Sequence, residues 1–241
     1  MEQKTVNTES GNVLFSILIA VALFAALSYA VTSSTNSGGG NANDESALVN
    51  SAAITQYPAS IKTAMIRMQV SNGIDPLEFK FDKPPYTDLT DTTTGVFHPD
   101  GGGATYSQSN PDVVVQGGTA TNEDGDWYFN YDFEIENIST TGAGAAGNEI
   151  VAFLPDIKQS ICTKINSELG IAGIPVTSGI TVTTMMDEDT SNGNYVVSTA
   201  APSANMIGDT LGATELDGKP YGCFRNGAAG PYTYYHVLLE R

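Results

Sequence analysis

Residues Val13 to Val31 form nineteen consecutive positions without a charge, with only Ser16 and Ser28 as aliphatic polar groups. Wound as a helix, that run is about 28 Å long, close to the hydrocarbon thickness of a bilayer. Helices buried in soluble cores seldom stay apolar on every face for so long. The expectation is therefore an N-terminal hydrophobic transmembrane helix. Its orientation follows from the flanks. Lys4 and the α-amino group precede it, and no Lys or Arg follows until Lys62. The bias places the N-terminus in the cytoplasm and everything after Ser33 outside.

Three fates are open to such a segment. A secretory signal could be cut after Ser28-Tyr29-Ala30, although Glu2 and Glu9 against Lys4 make a poor basic n-region. A permanent anchor would keep it whole. The third fate rests on Gly11-Asn12-Val13-Leu14-Phe15-Ser16-Ile17-Leu18-Ile19-Ala20-Val21-Ala22. This stretch resembles the start of type IV pilins and pseudopilins, in which a short polar leader ends in glycine. Cleavage there leaves a hydrophobic helix at the new N-terminus. The resemblance covers about thirty residues and implies a cut between Gly11 and Asn12 by a prepilin-type peptidase. It also implies methylation of the new amine and packing against other pilin-like subunits. Two positions depart from the pattern. Asn12 stands where the family begins with Phe or Met, and Ser16 where it places Glu to neutralise a neighbour's N-terminal amine.

Beyond the apolar run, Thr32 to Asn43 is a polar Gly/Ser-rich stretch expected to act as a flexible linker. The division expected is 1–11 leader, 12–31 transmembrane and assembly helix, 32–43 linker and 44–241 exported globular domain. A helix should begin near Asn43 or Asp44 and carry a stripe of Ile54, Tyr57, Ile61, Met65 and Met68. Pro58 should kink or restart it, and Asn72-Gly73 should end it. Strand patterns follow at Leu77–Phe81, Val96–His98, Val113–Val115 and Trp127–Ile135, the last apolar on alternate residues. A helix should start at Asp156, with Ile157, Ile161, Ile165 and Leu169 on one face and Gly170 as its stop. Ile180–Met186 and Tyr195–Thr199 read as a hairpin. Tyr232–Leu239, apolar on both faces, reads as an inner strand. The fold class expected is α+β: an antiparallel sheet with helices packed to one side.

Charge narrows the partners. With 27 Asp and Glu against 10 Lys and Arg, the formal charge is −17, which argues against nucleic acid and against an anionic membrane surface. A hydrophobic fraction of 41% is enough for a folded core. Cys162 and Cys223, the only cysteines, fall in the exported part, where an isolated pair forms a disulfide. That bond would close a loop of about 60 residues, stabilising by about 3–4 kcal/mol in the chain-entropy model.

Motifs that carry chemistry are scarce. His98 and His236 are the only histidines, and neither accompanies a G-x-S-x-G elbow. Gly101-Gly102-Gly103 lacks the GK[ST] of a phosphate loop. The acidic stretches Asn122–Asp126 and Asp187–Asn194 offer oxygen ligands for Ca²⁺, but neither has EF-hand spacing. No catalytic, metal or cofactor residue is expected. The reading is a non-enzymatic cell-envelope protein, a minor pilin-like or pseudopilin-like filament or secretion-system subunit with an acidic head facing solvent. Ala20, Ala22, Ala25 and Ala26 would let helices approach closely. Two other readings stand beside it: a membrane-anchored or secreted periplasmic binding module, and a hydrolase. The precursor would sit in the inner membrane, with its globular domain periplasmic or extracellular.

Overall fold

Where the chain packs a core, it does so around one curved sheet rich in buried aromatic residues. The computed structural model describes residues 10–37, 42–118, 124–138, 148–177, 206–208 and 213–240, together with Ile180 and Met185. Contacts divide the chain into two units, Met1–Glu45 and Ser46–Arg241.

The first unit contains helix α1, Ser10–Ser37. The expected linker residues Thr32 to Ser37 therefore continue this helix, while Gly38, Gly39 and Gly40 lie outside the described residues. The expected transmembrane helix is corrected. Among the described residues no helix is long and apolar enough to cross a membrane.

Helix α2, Ala42–Asn72, passes through Pro58 without a restart. Ile54, Ile61, Met65 and Met68 are buried along one stripe, with Tyr57 packed beside them. Gly73 closes it in the left-handed region at φ +68°, donating to the Gln69 carbonyl. The alternation at Leu77–Phe81 does not make a ladder. Asp75 caps a 3₁₀ turn over Pro76–Glu78, and the Asp75 amide in turn donates to Glu78 Oε2. A capping box with proline at its first position outweighs the two-residue alternation. Only Lys80 then bridges to Gly95.

Among the described residues six strands follow: β1 Tyr128–Ile135, β2 Glu149–Leu154, β3 Val176–Thr177, β4 Met206–Ile207, β5 Tyr221–Asn226 and β6 Tyr232–Leu239. Their order is β3-β5-β6-β2-β1-β4. The four inner strands pair antiparallel, but both edge pairs, β3 with β5 and β4 with β1, run parallel. The sheet is mixed, which corrects the expected antiparallel one. The edges escaped sequence reading because each is two residues long, below any periodicity. β6 is an inner strand, as its two apolar faces require. β1 was expected to be half-buried, yet Tyr128, Asn130 and Glu134 are buried as well as Phe129, Tyr131, Phe133 and Ile135. Asn130 is paired inside, its Nδ2 donating to the Met185 carbonyl at 3.2 Å.

Helix α3, Gln159–Glu168, starts three residues later than expected, because Asp156 is left-handed and Ile157 bridges to Val114. Ile161 and Ile165 are buried, and Gly170 ends the helix at φ +76°. The expected hairpin, Ile180–Met186 with Tyr195–Thr199, lies outside the described residues except for Ile180 and Met185.

Candidate functional site

Helix α1 has the most unusual surface. Every side chain described along it, Phe15 to Ser28, is exposed, with Phe24 at 72%, Leu23 and Leu27 at 66% and Leu18 at 63%. Apolar groups therefore cover all sides of the helix rather than one stripe, the pattern of a helix whose partners surround it. Ala20, Ala22, Ala25 and Ala26 are exposed among them. Ala22 and Ala26 are one turn apart, so together they leave a shallow place where another backbone could approach. Gly11 and Asn12 lie in the first turn of α1, and Ser16 is exposed one turn further on.

In the second unit, Cys162 of α3 and Cys223 of β5 form a disulfide, with Cα atoms 5.5 Å apart. Asn166, one helical turn after Cys162 and wholly buried, grips the same strand residue. The Cys223 amide donates to Asn166 Oδ1 at 3.0 Å, and Asn166 Nδ2 donates to the Cys223 carbonyl at 2.8 Å. Sequence reading named the cysteines but missed Asn166. The available signal was a polar residue on the i, i+4 face of a helix that carries a disulfide.

A second polar centre gathers around Asp126, whose side chain is 1% exposed. Lys83 Nζ approaches Oδ2 at 2.5 Å, while the Tyr106 hydroxyl and Gln108 Nε2 donate to Oδ1 at 2.8 and 2.9 Å. The Lys83 ammonium also sits 5.4 Å from the centre of the Tyr106 ring, within cation–π range. Close by, the Tyr57 hydroxyl accepts from the Ser107 amide at 3.1 Å and the Tyr57 ring meets Trp127 at 5.2 Å. Burial pushes the Tyr57 phenol up to about 12, with the Asp126 charge adding to the effect. None of this was legible locally, since the partners of Asp126 lie 43, 20 and 18 residues away in the chain.

Asp126 was expected to be a possible calcium ligand. With three donors already on its two oxygens, it is committed to the fold. Asp124 accepts from the Gly117 amide at 2.7 Å. Asn122, Glu123 and the stretch Asp187–Asn194 lie outside the described residues. Among the described residues no three His, Cys, Asp or Glu side chains come together as a metal site.

The histidines part company. His98 Nδ1 accepts from the Asp100 amide at 3.2 Å, and its ring meets the edge of Tyr86. It belongs to the turn that closes with Gly101–Gly103. His236 lies beside Tyr221 and Tyr234, with the Tyr234 hydroxyl 2.7 Å from Nδ1. Burial, and then the Lys62 charge, lower its pKa to about 4, so it is a neutral ring at pH 7. Among the described residues, neither histidine has a serine or cysteine as a hydrogen-bond or ring partner. Comparison with known proteins gives no match to a family model, to a curated protein or to a solved structure.

Proposed function

We propose that this chain is a non-enzymatic subunit of a pilin-like or pseudopilin-like assembly, joined to its neighbours through α1. The observation that carries the reading is the fully exposed apolar surface of α1 from Phe15 to Ser28. Burying a Leu or Phe side chain stabilises by about 1.5–3 kcal/mol, so a helix with five such exposed groups, Phe15, Leu18, Leu23, Phe24 and Leu27, gains strongly from partners. The occupants proposed are equivalent helices of this chain and of related subunits. Ala22 and Ala26 would sit at the points of closest approach.

Processing supplies the free helix end. A prepilin-type peptidase would cut between Gly11 and Asn12, leaving α1 at the mature N-terminus. The disulfide supports an exported head, since such bonds persist in oxidising compartments. The head would be periplasmic or extracellular, with its net negative charge facing solvent. Ser16 offers no carboxylate to a neighbour's amine, so a charge-assisted contact worth about 1.5–3 kcal/mol when buried is absent. A minor or weakly self-assembling role follows from that loss.

Electron microscopy of the processed protein tests the reading. Short or mixed assemblies are expected, and Ser16→Glu should lengthen them. Monomers at every concentration, in both the wild type and Ser16→Glu, would contradict assembly through α1. Long regular filaments of the wild-type chain alone would contradict the minor role.

A further inference from the structure

We propose that Lys83 and Asp126 are joined in the mature protein by an intramolecular amide bond between Nζ and Cγ. The two side chains are already in contact, Nζ to Oδ2 at 2.5 Å, in a site where the Asp126 carboxylate is 1% exposed and Lys83 is 28% exposed. The other carboxylate oxygen is held quite differently. Oδ1 accepts from the Tyr106 hydroxyl at 2.8 Å and from Gln108 Nε2 at 2.9 Å. One oxygen thus faces the amine and the other faces two neutral donors. That division suits an acyl transfer at Cγ, with the nucleophile on one side and donors for the developing oxyanion on the other.

The chemistry balances without an outside reagent. A proton passes from the ammonium to Oδ2, turning the ion pair into an amine and a carboxylic acid. The nitrogen lone pair then attacks Cγ, and negative charge develops on Oδ1, where Tyr106 and Gln108 stabilise it as an oxyanion hole does. Oδ2 takes a second proton from the nitrogen and leaves as water. Oδ1 remains as the amide carbonyl, still hydrogen-bonded to the same two donors. Condensation is unfavourable in water. Here the reacting atoms are held in contact, which supplies a large effective concentration, and the burial of Asp126 limits the return of water.

Placement gives the bond a structural role. The disulfide ties α3 to β5 in the C-terminal half, whereas Lys83 and Asp126 lie before β1, 43 residues apart. The amide would fix the loop that follows Phe81 to the entry of β1, where Phe81 stacks on Phe129 with ring centres 4.4 Å apart. This proposal does not depend on assembly through α1.

Intact-mass spectrometry of the reduced full-length protein tests it, with Lys83→Arg as the comparison because arginine keeps the charge and cannot condense. The expected result is a wild-type mass lighter than its sequence by one water and a Lys83→Arg mass that is not. Cleavage at aromatic residues should leave the segments holding Lys83 and Asp126 joined after reduction. Two separate fragments carrying unmodified Lys83 and Asp126 would overturn the proposal. So would a water loss that survives Lys83→Arg, since a cyclic imide at Asp124-Gly125 or another Asp-Gly step would produce it. Should Lys83→Arg fail to accumulate, the joined or separate state of the wild-type fragments decides the matter.

Discussion

The side-chain amide of Asn166 stands where a neighbouring strand would stand for Cys223. β3 reaches β5 only at Arg225 and Asn226, so the outer edge of Cys223 has no backbone partner there. Asn166 supplies both a donor and an acceptor, at 2.8 and 3.0 Å, and its Nδ2 also reaches the Gly173 carbonyl at 3.1 Å. One turn earlier, Cys162 bonds the same residue covalently. Helix α3 is thus clasped to the sheet by one residue of β5, held through its backbone and through its sulfur.

Asn166→Leu should therefore cost more than its volume change suggests. It leaves the Cys223 N–H and C=O buried without partners, at about 1–3 kcal/mol each. A loss of about 2–4 kcal/mol is expected from urea denaturation of the oxidised protein. Cys162→Ser with Cys223→Ser should remove about 3–4 kcal/mol by loosening the unfolded-state constraint. Because both devices hold one residue, the combined variant should depart from additivity by more than about 0.5 kcal/mol. Strict additivity would show that the two contacts act independently.

The triple glycine at Gly101–Gly103 makes a second prediction. A Cβ on Gly102 would lie 2.3 Å from the Val96 carbonyl oxygen and 2.9 Å from Met68 Sδ. Backbone approaches this closely because Gly102 donates to the Gly95 carbonyl at 2.9 Å and Ala104 to that of Val96 at 3.0 Å. The Arg67 guanidinium also donates to the Gly102 carbonyl, pinning the turn to α2. Gly102→Ala should destabilise by about 1–3 kcal/mol, as overpacking does. Gly117→Ala meets nothing within 4 Å and carries only the strain of its φ of +69°. Comparing the two melting curves separates crowding from backbone conformation.

His236 gives the stability of the head a pH dependence with a definite sign. Its pKa falls to about 4 in the folded protein, first through burial and then through the Lys62 charge. The unfolded value is about 6.5. Between those values the unfolded chain takes up a proton and the folded chain does not, so stability falls as pH drops from about 6.5 to about 4. At about 1.4 kcal/mol per pH unit the histidine contributes about 2–3 kcal/mol to that loss. Asp82 and Glu134 act in the opposite direction, because burial raises both carboxyls. Urea midpoints at pH 7 and pH 4.5 should converge in His236→Gln relative to wild type. An equal acid loss in both proteins would remove His236 as the cause.

Sequence patterns reached the inner elements and missed the edges. Tyr232–Leu239 could be placed at the centre because an edge strand with two apolar faces would expose one of them. The stripe of α2 and the i, i+4 isoleucines of α3 were legible for the same reason: burial leaves a period. Asn130 and Glu134 misled, since alternation suggested water on their side of β1 and both are buried. Polar residues that find partners far along the chain, such as Asn130 with Met185 or Asp126 with Lys83, leave no local pattern. On α1, composition alone identified the apolar surface and the small residues within it. Sequence reading failed at the long-range hydrogen bonds, at the two-residue edge strands, and in expecting a membrane-spanning helix from the apolar run.

The mature N-terminus is the most direct test of the pilin-like account. Mass spectrometry of N-terminal peptides from the protein of the native envelope would read it. The account predicts a chain beginning at Asn12 with a methylated amine, and α1 intact behind it. A chain beginning at Val31 would show that the apolar run is discarded as a secretory signal. An unprocessed Met1 would equally contradict cleavage after Gly11, and with it the proposed route into an assembly.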